Sequence, residues 1–221
     1  MNRVKEQLES SYETSSLLVR SYNLAIGLTL AYGCILSAIL ASSTKDFVTG
    51  INPWLFVIIY FVVEFGAQAL ACISSNPFIT FIAYTLCVLP IGMLLSTFVS
   101  YYTKADITVA LISVAAVTVV MCCASTMFPE LFESLGLGLF LALLIGIFVE
   151  LVVVYAFGYK GTLFDWFFVV LFSLYVGFDW VMAESYPRTV NNAILSSISL
   201  YLDIVNLFVR RLSILGNKND E

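Results

Sequence analysis

The sequence predicts an all-α integral membrane protein: a seven-transmembrane-helix bundle whose last helix is central and either crosses fully or is re-entrant. Three observations carry this. Apolar residues make up 61% of the chain and charged residues only 11%, against about 25% charged in a soluble domain. The apolar residues fall into seven segments, each near the roughly 20 residues that a bilayer core demands of a helix. The last segment differs from the others in carrying a polar stripe.

Residues 1–20 read as a polar N-terminal tail of mixed charge, with Arg3, Lys5, Glu6, Glu9, Glu13 and Arg20. A basic start followed by an apolar run is missing, so no signal peptide is expected. The spans then follow at 22–41, 53–73, 78–102, 107–127, 135–157, 163–182 and 193–212. Between them lie short connectors rich in turn formers: 42–46, 74–77, 103–106, 129–133, 158–161 and 184–191. Short connectors make successive helices antiparallel neighbours, so residues 21–213 form one transmembrane domain, followed by a polar C-terminal tail at 214–221. Pro90 falls inside the third span and is expected to kink it, which a bundle tolerates when neighbours satisfy the freed carbonyl.

In the seventh segment Asn192, Ser196, Ser199, Asp203, Asn206 and Arg210 are spaced by four and three residues in alternation, which aligns them on one face of a helix. The other faces are Ile, Leu, Val, Tyr and Phe. With six apolar spans before it, the stripe is expected to turn inward and line a path. Basic residues give a mild constraint on topology. With the N-terminus inside and seven crossings, four lie inside (Arg3, Lys5, Arg20, Arg188) and six outside. A re-entrant last segment makes the ratio seven to three, and an N-out protein also corrects it.

Composition excludes several classes of function. The net charge of −5 argues against nucleic acid as a partner. The chain has no His, and its five Cys (Cys34, Cys72, Cys87, Cys122, Cys123) lie in apolar stretches without metal-ligand spacing. They read as small packing residues. No tightly bound cofactor is expected.

Four acids stand inside apolar segments: Glu64, Glu150, Asp179 and Asp203, with no basic residue expected deep enough to pair with them. A charged side chain at the centre of a bilayer costs about 2.5–3.5 kcal/mol on insertion scales, and such residues commonly mark ion or proton paths. Glu150 reads more simply as a protonated acid bonded to a neighbouring helix. Asp179 and Asp203 flank a tight connector in an antiparallel hairpin, which brings them to similar depth. Two facing carboxyls would share a proton and titrate together. They also form a hard-oxygen cation site, and Ca²⁺ seeks six to eight oxygens. Asp179 and Asp203 are therefore the candidate Ca²⁺ ligands, with Ser199 and Asn206 as further oxygen donors, and Asn192, Ser196, Ser199 and Asn206 the candidate ion path.

At this hairpin the chain resembles a known family. Phe178-Asp179, then Leu200-Tyr201-Leu202-Asp203-Ile204-Val205-Asn206-Leu207-Phe208 and Arg211-Leu212, is similar to the signature of the transmembrane Bax inhibitor motif (Bax inhibitor-1-like) family. The resemblance implies six helices around a central seventh and a pH-sensitive Ca²⁺ leak. It implies that Asp179 and Asp203 are the pH-sensor pair and that Glu64 belongs to the ion path, which adds Glu64 to the candidate Ca²⁺ ligands. There is one departure. Bacterial calcium-leak members carry a basic cluster after the second-helix acid, one arginine of which latches onto the aspartates; the corresponding stretch here is Ser74-Ser75-Asn76. The basic loop between the fourth and fifth helices is also acidic here, with Glu130 and Glu133.

The function expected is a pH-sensitive calcium leak channel gated by protonation of the buried aspartate pair. The alternatives are a proton-coupled Ca²⁺/H⁺ antiporter, or a non-transporting membrane regulator of stress or cell-death partners. No enzymatic activity is expected: an intramembrane aspartyl protease needs Gly-x-Gly-Asp, and neither aspartate has it. The expected partners are the lipid bilayer, Ca²⁺ as transported ion, and protons. A monomer is expected, with no nucleic acid and no membrane-protein partner that the residues identify. Compact size and short tails favour a bacterial plasma membrane over the endoplasmic reticulum or another organelle membrane.

Overall fold

Helix starts in this chain are set by local side-chain chemistry. The Asn52 side-chain Oδ1 accepts from Trp54 N at 3.0 Å, with Pro53 in the first helical position. Asn76 repeats the device before Pro77, accepting from Phe78 N at 3.0 Å. Thr103 and Asp106 form a reciprocal capping box. Each satisfies backbone N–H groups that a helix start leaves without partners, and proline loses nothing there because that N–H is unused.

The computed structural model describes residues 19–158 and 162–217. The expected N-terminal tail up to residue 18, connector residues 159–161 and tail residues 218–221 lie outside them. The helices are α1 (Val19–Ser43), α2 (Lys45–Thr49), α3 (Pro53–Ile73), α4 (Pro77–Val99), α5 (Lys104–Met127), α6 (Pro129–Ser134), α7 (Gly136–Phe157), α8 (Thr162–Ser185) and α9 (Val190–Asn217). Seven are long and apolar enough to cross a membrane. The short α2 and α6 occupy connectors expected to be turns. α4 runs through Pro90 as one helix. α9 begins three residues earlier and ends five later than the segment expected at 193–212.

Large apolar side chains face outward, Trp54 at 79% and Tyr155 at 85% exposure among them. A soluble domain would not tolerate so continuous an apolar surface, whereas a lipid-facing one requires it. The chain is an integral multi-pass membrane protein.

α9 is the centre of the bundle, packed against α1, α4, α5 and α8. α3 packs on α4, and α7 on α8. α9 is unbroken for 28 residues, about 42 Å at 1.5 Å per residue, enough for a complete crossing. Its two ends are tied to opposite ends of the bundle. Asn191 Nδ2 donates to Ser74 O at 3.3 Å and Thr80 Oγ1 to Asn191 Oδ1 at 2.6 Å. At the other end Ser213 Oγ donates to Asp165 Oδ2 at 2.8 Å. α9 is therefore a full span rather than a re-entrant segment.

The inner seam joins α1, α4 and α9 through aromatic and hydroxyl contacts. Tyr84 and Tyr201, both fully buried, meet edge to face with centroids 5.8 Å apart, and Ser37 Oγ lies 2.6 Å from Tyr201 Oη. Tyr22 Oη donates to Ala183 O at 2.9 Å, tying α1 to α8. Gly33 makes this seam possible: a Cβ there would run into the Tyr84 hydroxyl, with the Tyr201 ring 3.2 Å away.

Gly33→Ala should therefore destabilise the protein by about 1–3 kcal/mol, the usual cost of overpacking. Gly66→Ala, whose added Cβ meets nothing within 4 Å, should be neutral or slightly stabilising, since alanine is the better helix former. Thermal unfolding of the two purified variants in one detergent checks the contrast.

Candidate functional site

The polar residues of α9 lie in two rows. Ser196, Asp203 and Arg210 repeat every seven residues, as do Asn192, Ser199 and Asn206. Three residues of offset set the rows about 60° apart on the helix. Ser196 and Asp203 are buried, while Asn192 and Arg210 are half-buried. Ser199 and Asn206 are exposed. The stripe expected to turn inward as a whole does so mainly along the first row. The second runs along the rim, where Asn206 lines a cleft of about 370 Å³ with Tyr60 of α3 and Thr97 and Phe98 of α4.

Asp179 and Asp203 meet where α8 and α9 pack, their carboxyls within hydrogen-bonding reach of each other. Asp203 is only 7% exposed, and no N–H or hydroxyl group bonds its Oδ2. The Tyr175 hydroxyl, one turn before Asp179, lies within electrostatic reach of both carboxyls. The pair arises because α8 and α9 are antiparallel and joined by four residues. Chemically, two facing carboxyls away from water can share one proton or present a hard-oxygen pair to a cation.

Glu64 is not part of this group. It is 6% exposed, accepts from Gln68 Nε2 at 2.9 Å through Oε1, and leaves Oε2 without a partner. Its neighbours are Cys87 and Tyr60, with Tyr201 of α9 within electrostatic reach. Tyr201 and Asp203 are two residues apart, about 200° round the helix. Glu64 and the aspartate pair thus flank α9 on opposite sides. Among the described residues, no three His, Cys, Asp or Glu side chains gather closely enough to hold a metal ion.

The connector Ser74-Ser75-Asn76 stands beside Asn191, at the start of α9. Asp203 lies twelve residues further on, about 18 Å along the axis. A basic side chain in this connector could not reach the pair, so no latch of that kind is available from it.

One feature escaped the sequence reading. Glu150 is an ion-pair partner rather than a protonated acid bonded to a neighbouring helix, and a basic residue does lie deep enough to pair. Arg210 grips Glu150 with two contacts, Nη1–Oε1 at 2.5 Å and Nη2–Oε2 at 2.8 Å, and reaches Asp165 Oδ1 at 3.1 Å. Its guanidinium lies 4.2 Å from the Phe168 ring centroid. Paired, bidentate and stacked, it meets the conditions for an arginine away from water. The available signal was Arg210 itself, seven residues beyond Asp203 in the same row.

A seven-helix bundle built round a polar last helix, with two facing aspartates at its closest helix contact, is a polytopic membrane protein with an intramembrane acid centre. The chain belongs to the family described as inhibitor of apoptosis-promoting Bax1, whose family model matches residues 15–220. Among curated proteins, none matches it.

Asp165→Asn should lower stability by about 1–3 kcal/mol, because it weakens a buried acceptor for both Arg210 and Ser213. Ser213→Ala should cost less, leaving the Arg210 contact intact. Chemical or thermal unfolding in detergent ranks the two; equal stability of both with the parent chain would show that these bonds contribute nothing.

Proposed function

We propose that this protein is a passive, pH-responsive leak for Ca²⁺, with Asp179 and Asp203 as the proton-sensing pair and Glu64 as a separate acid of the ion path. One observation carries this reading: Asp203 is buried on the central helix, faces a second carboxyl, and keeps one oxygen without a partner. A carboxylate kept in that state has a capacity for a ligand that folding alone does not use.

Protons and divalent cations compete for the same oxygens. As pH falls the pair takes up a proton, loses negative charge and holds Ca²⁺ less well. As pH rises the proton leaves and the attraction for Ca²⁺ grows. Two aspartates with water would give part of the six to eight oxygens Ca²⁺ prefers. Such incomplete coordination suits an ion in transit better than one stored. Changing the charge between α8 and α9 also changes how closely they pack, which links proton occupancy to bundle conformation.

Purified protein in liposomes with a Ca²⁺ indicator tests the reading. The parent chain should pass Ca²⁺ with a clear pH dependence. Asp179→Asn and Asp203→Asn should each abolish that dependence or displace it strongly. Asp46→Asn, at an exposed position in α2, should leave it unchanged. Glu64→Gln should reduce the rate without moving the pH midpoint, because Glu64 stands on the other side of α9. If both aspartate variants keep the parent profile, the pair is not the sensor. A fixed ratio of protons moved per Ca²⁺ would replace the leak with an antiporter that uses the same acids.

A further inference from the structure

We infer that Arg210 is a gate residue: its guanidinium clamps α7 and α8 onto α9 and shuts the polar row of α9 at the end away from Asn192. The inference rests on the leak reading for the flux part of its test, but the clamp itself stands on geometry alone.

Three helices meet at this one side chain. Glu150 comes from α7, Asp165 from α8 and Arg210 from α9. Ser213, one turn further along α9, holds the second oxygen of Asp165, and Tyr102 from the α4–α5 connector lies beside Asp165 and Ser213. Arg211 points elsewhere, to Ser113 Oγ at 3.2 Å and the Trp166 ring. The cluster is therefore a defined set: two carboxylates, one guanidinium, and the Ser213 and Tyr102 hydroxyls.

Its position makes it a closure. Arg210 is seven residues beyond Asp203 in the same row, about 10.5 Å along the axis. A cation leaving the aspartate pair along that row meets the bulk of a clamped guanidinium, whose charge the two acids more than neutralise. That side chain is held in place by two acids, so it cannot swing aside without losing both.

α7 gives the clamp something to move. It packs on α8, and its side-chain ion pair to the central helix is Glu150–Arg210. The approach of α7 to α8 depends on Gly146, one turn before Glu150, where a Cβ would come within 2.6 Å of the Phe167 ring and 3.2 Å of Phe168. The close approach brings Glu150 to Arg210. Loss of the ion pair leaves α7 attached through apolar contacts that lipid can replace without a hydrophobic penalty.

The test combines a spacing and a flux. Spin labels at Lys104→Cys on α5 and Tyr155→Cys on α7, in a chain lacking its five native cysteines, report the distance between α7 and the core at this end. Arg210→Gln should lengthen or broaden that distance and raise Ca²⁺ leak about tenfold at the pH where the parent leaks least. Removing the arginine leaves two acids without their cation, so the neutral triple variant Glu150→Gln/Asp165→Asn/Arg210→Gln is run beside it. It should show the same opening without that strain. Arg211→Gln should change neither readout. An unchanged distance in both Arg210 variants overturns the clamp. A longer distance with a measurable but unaltered leak overturns its role as a gate. A longer distance in a protein that passes no Ca²⁺ at any pH upholds the clamp and removes the leak reading instead.

Discussion

A helix that carries serine, aspartate, asparagine and arginine through hydrocarbon must be enclosed, and the rest of this bundle follows from that requirement. The cost of leaving such groups facing lipid is several kcal/mol each. Four helices pack directly on α9 and remove most of one polar row from the hydrocarbon. The outer helices α3 and α7 contribute little apolar core. They contribute acids instead, Glu64 and Glu150, both turned toward the centre. The bundle is thus organised by the polarity of its innermost element, the reverse of a soluble fold, in which an apolar core organises a polar surface.

The charges at the two depths are handled differently. At the α8–α9 contact the two carboxyls face each other and keep one oxygen open. About two turns away, acids of the same kind are held by Arg210 and Ser213, with a ring face against the guanidinium. The first arrangement is incomplete; in the second each group has its partner. An incomplete acid pair and a saturated one therefore stand about 10 Å of rise apart on one helix.

Much of the fold was readable from the chain. Seven apolar stretches with short connectors define seven spans because bilayer thickness admits few other solutions. The Asp179–Asp203 pairing followed from a short connector between antiparallel helices. What could not be read was pairing between segments distant in sequence. Glu150 and Arg210 are 60 residues apart, and nothing in local periodicity says that the fifth and seventh spans meet at that depth. Rotational detail was hidden for a related reason: a stripe defined by four-and-three spacing is wide enough to split, and only the packing of neighbours decides which half is covered. Ser199 and Asn206 were thus expected inside and lie on the rim. Glu64 was grouped with the aspartates by its chemistry, and the intervening body of α9 separates them.

The two rows on α9 have a geometric consequence. They repeat at the same interval and lie about a sixth of a revolution apart. A small twist of the helix about its own axis, with no sliding and no tilt, would carry one row toward the position of the other. Ser196, Asp203 and Arg210 are interleaved with Asn192, Ser199 and Asn206 in the manner of two keyways cut in one shaft. As seated, it presents a carboxylate and a guanidinium to α8; turned through that angle it would present a hydroxyl and an amide, so that rotation alone would exchange a charged lining for a neutral one.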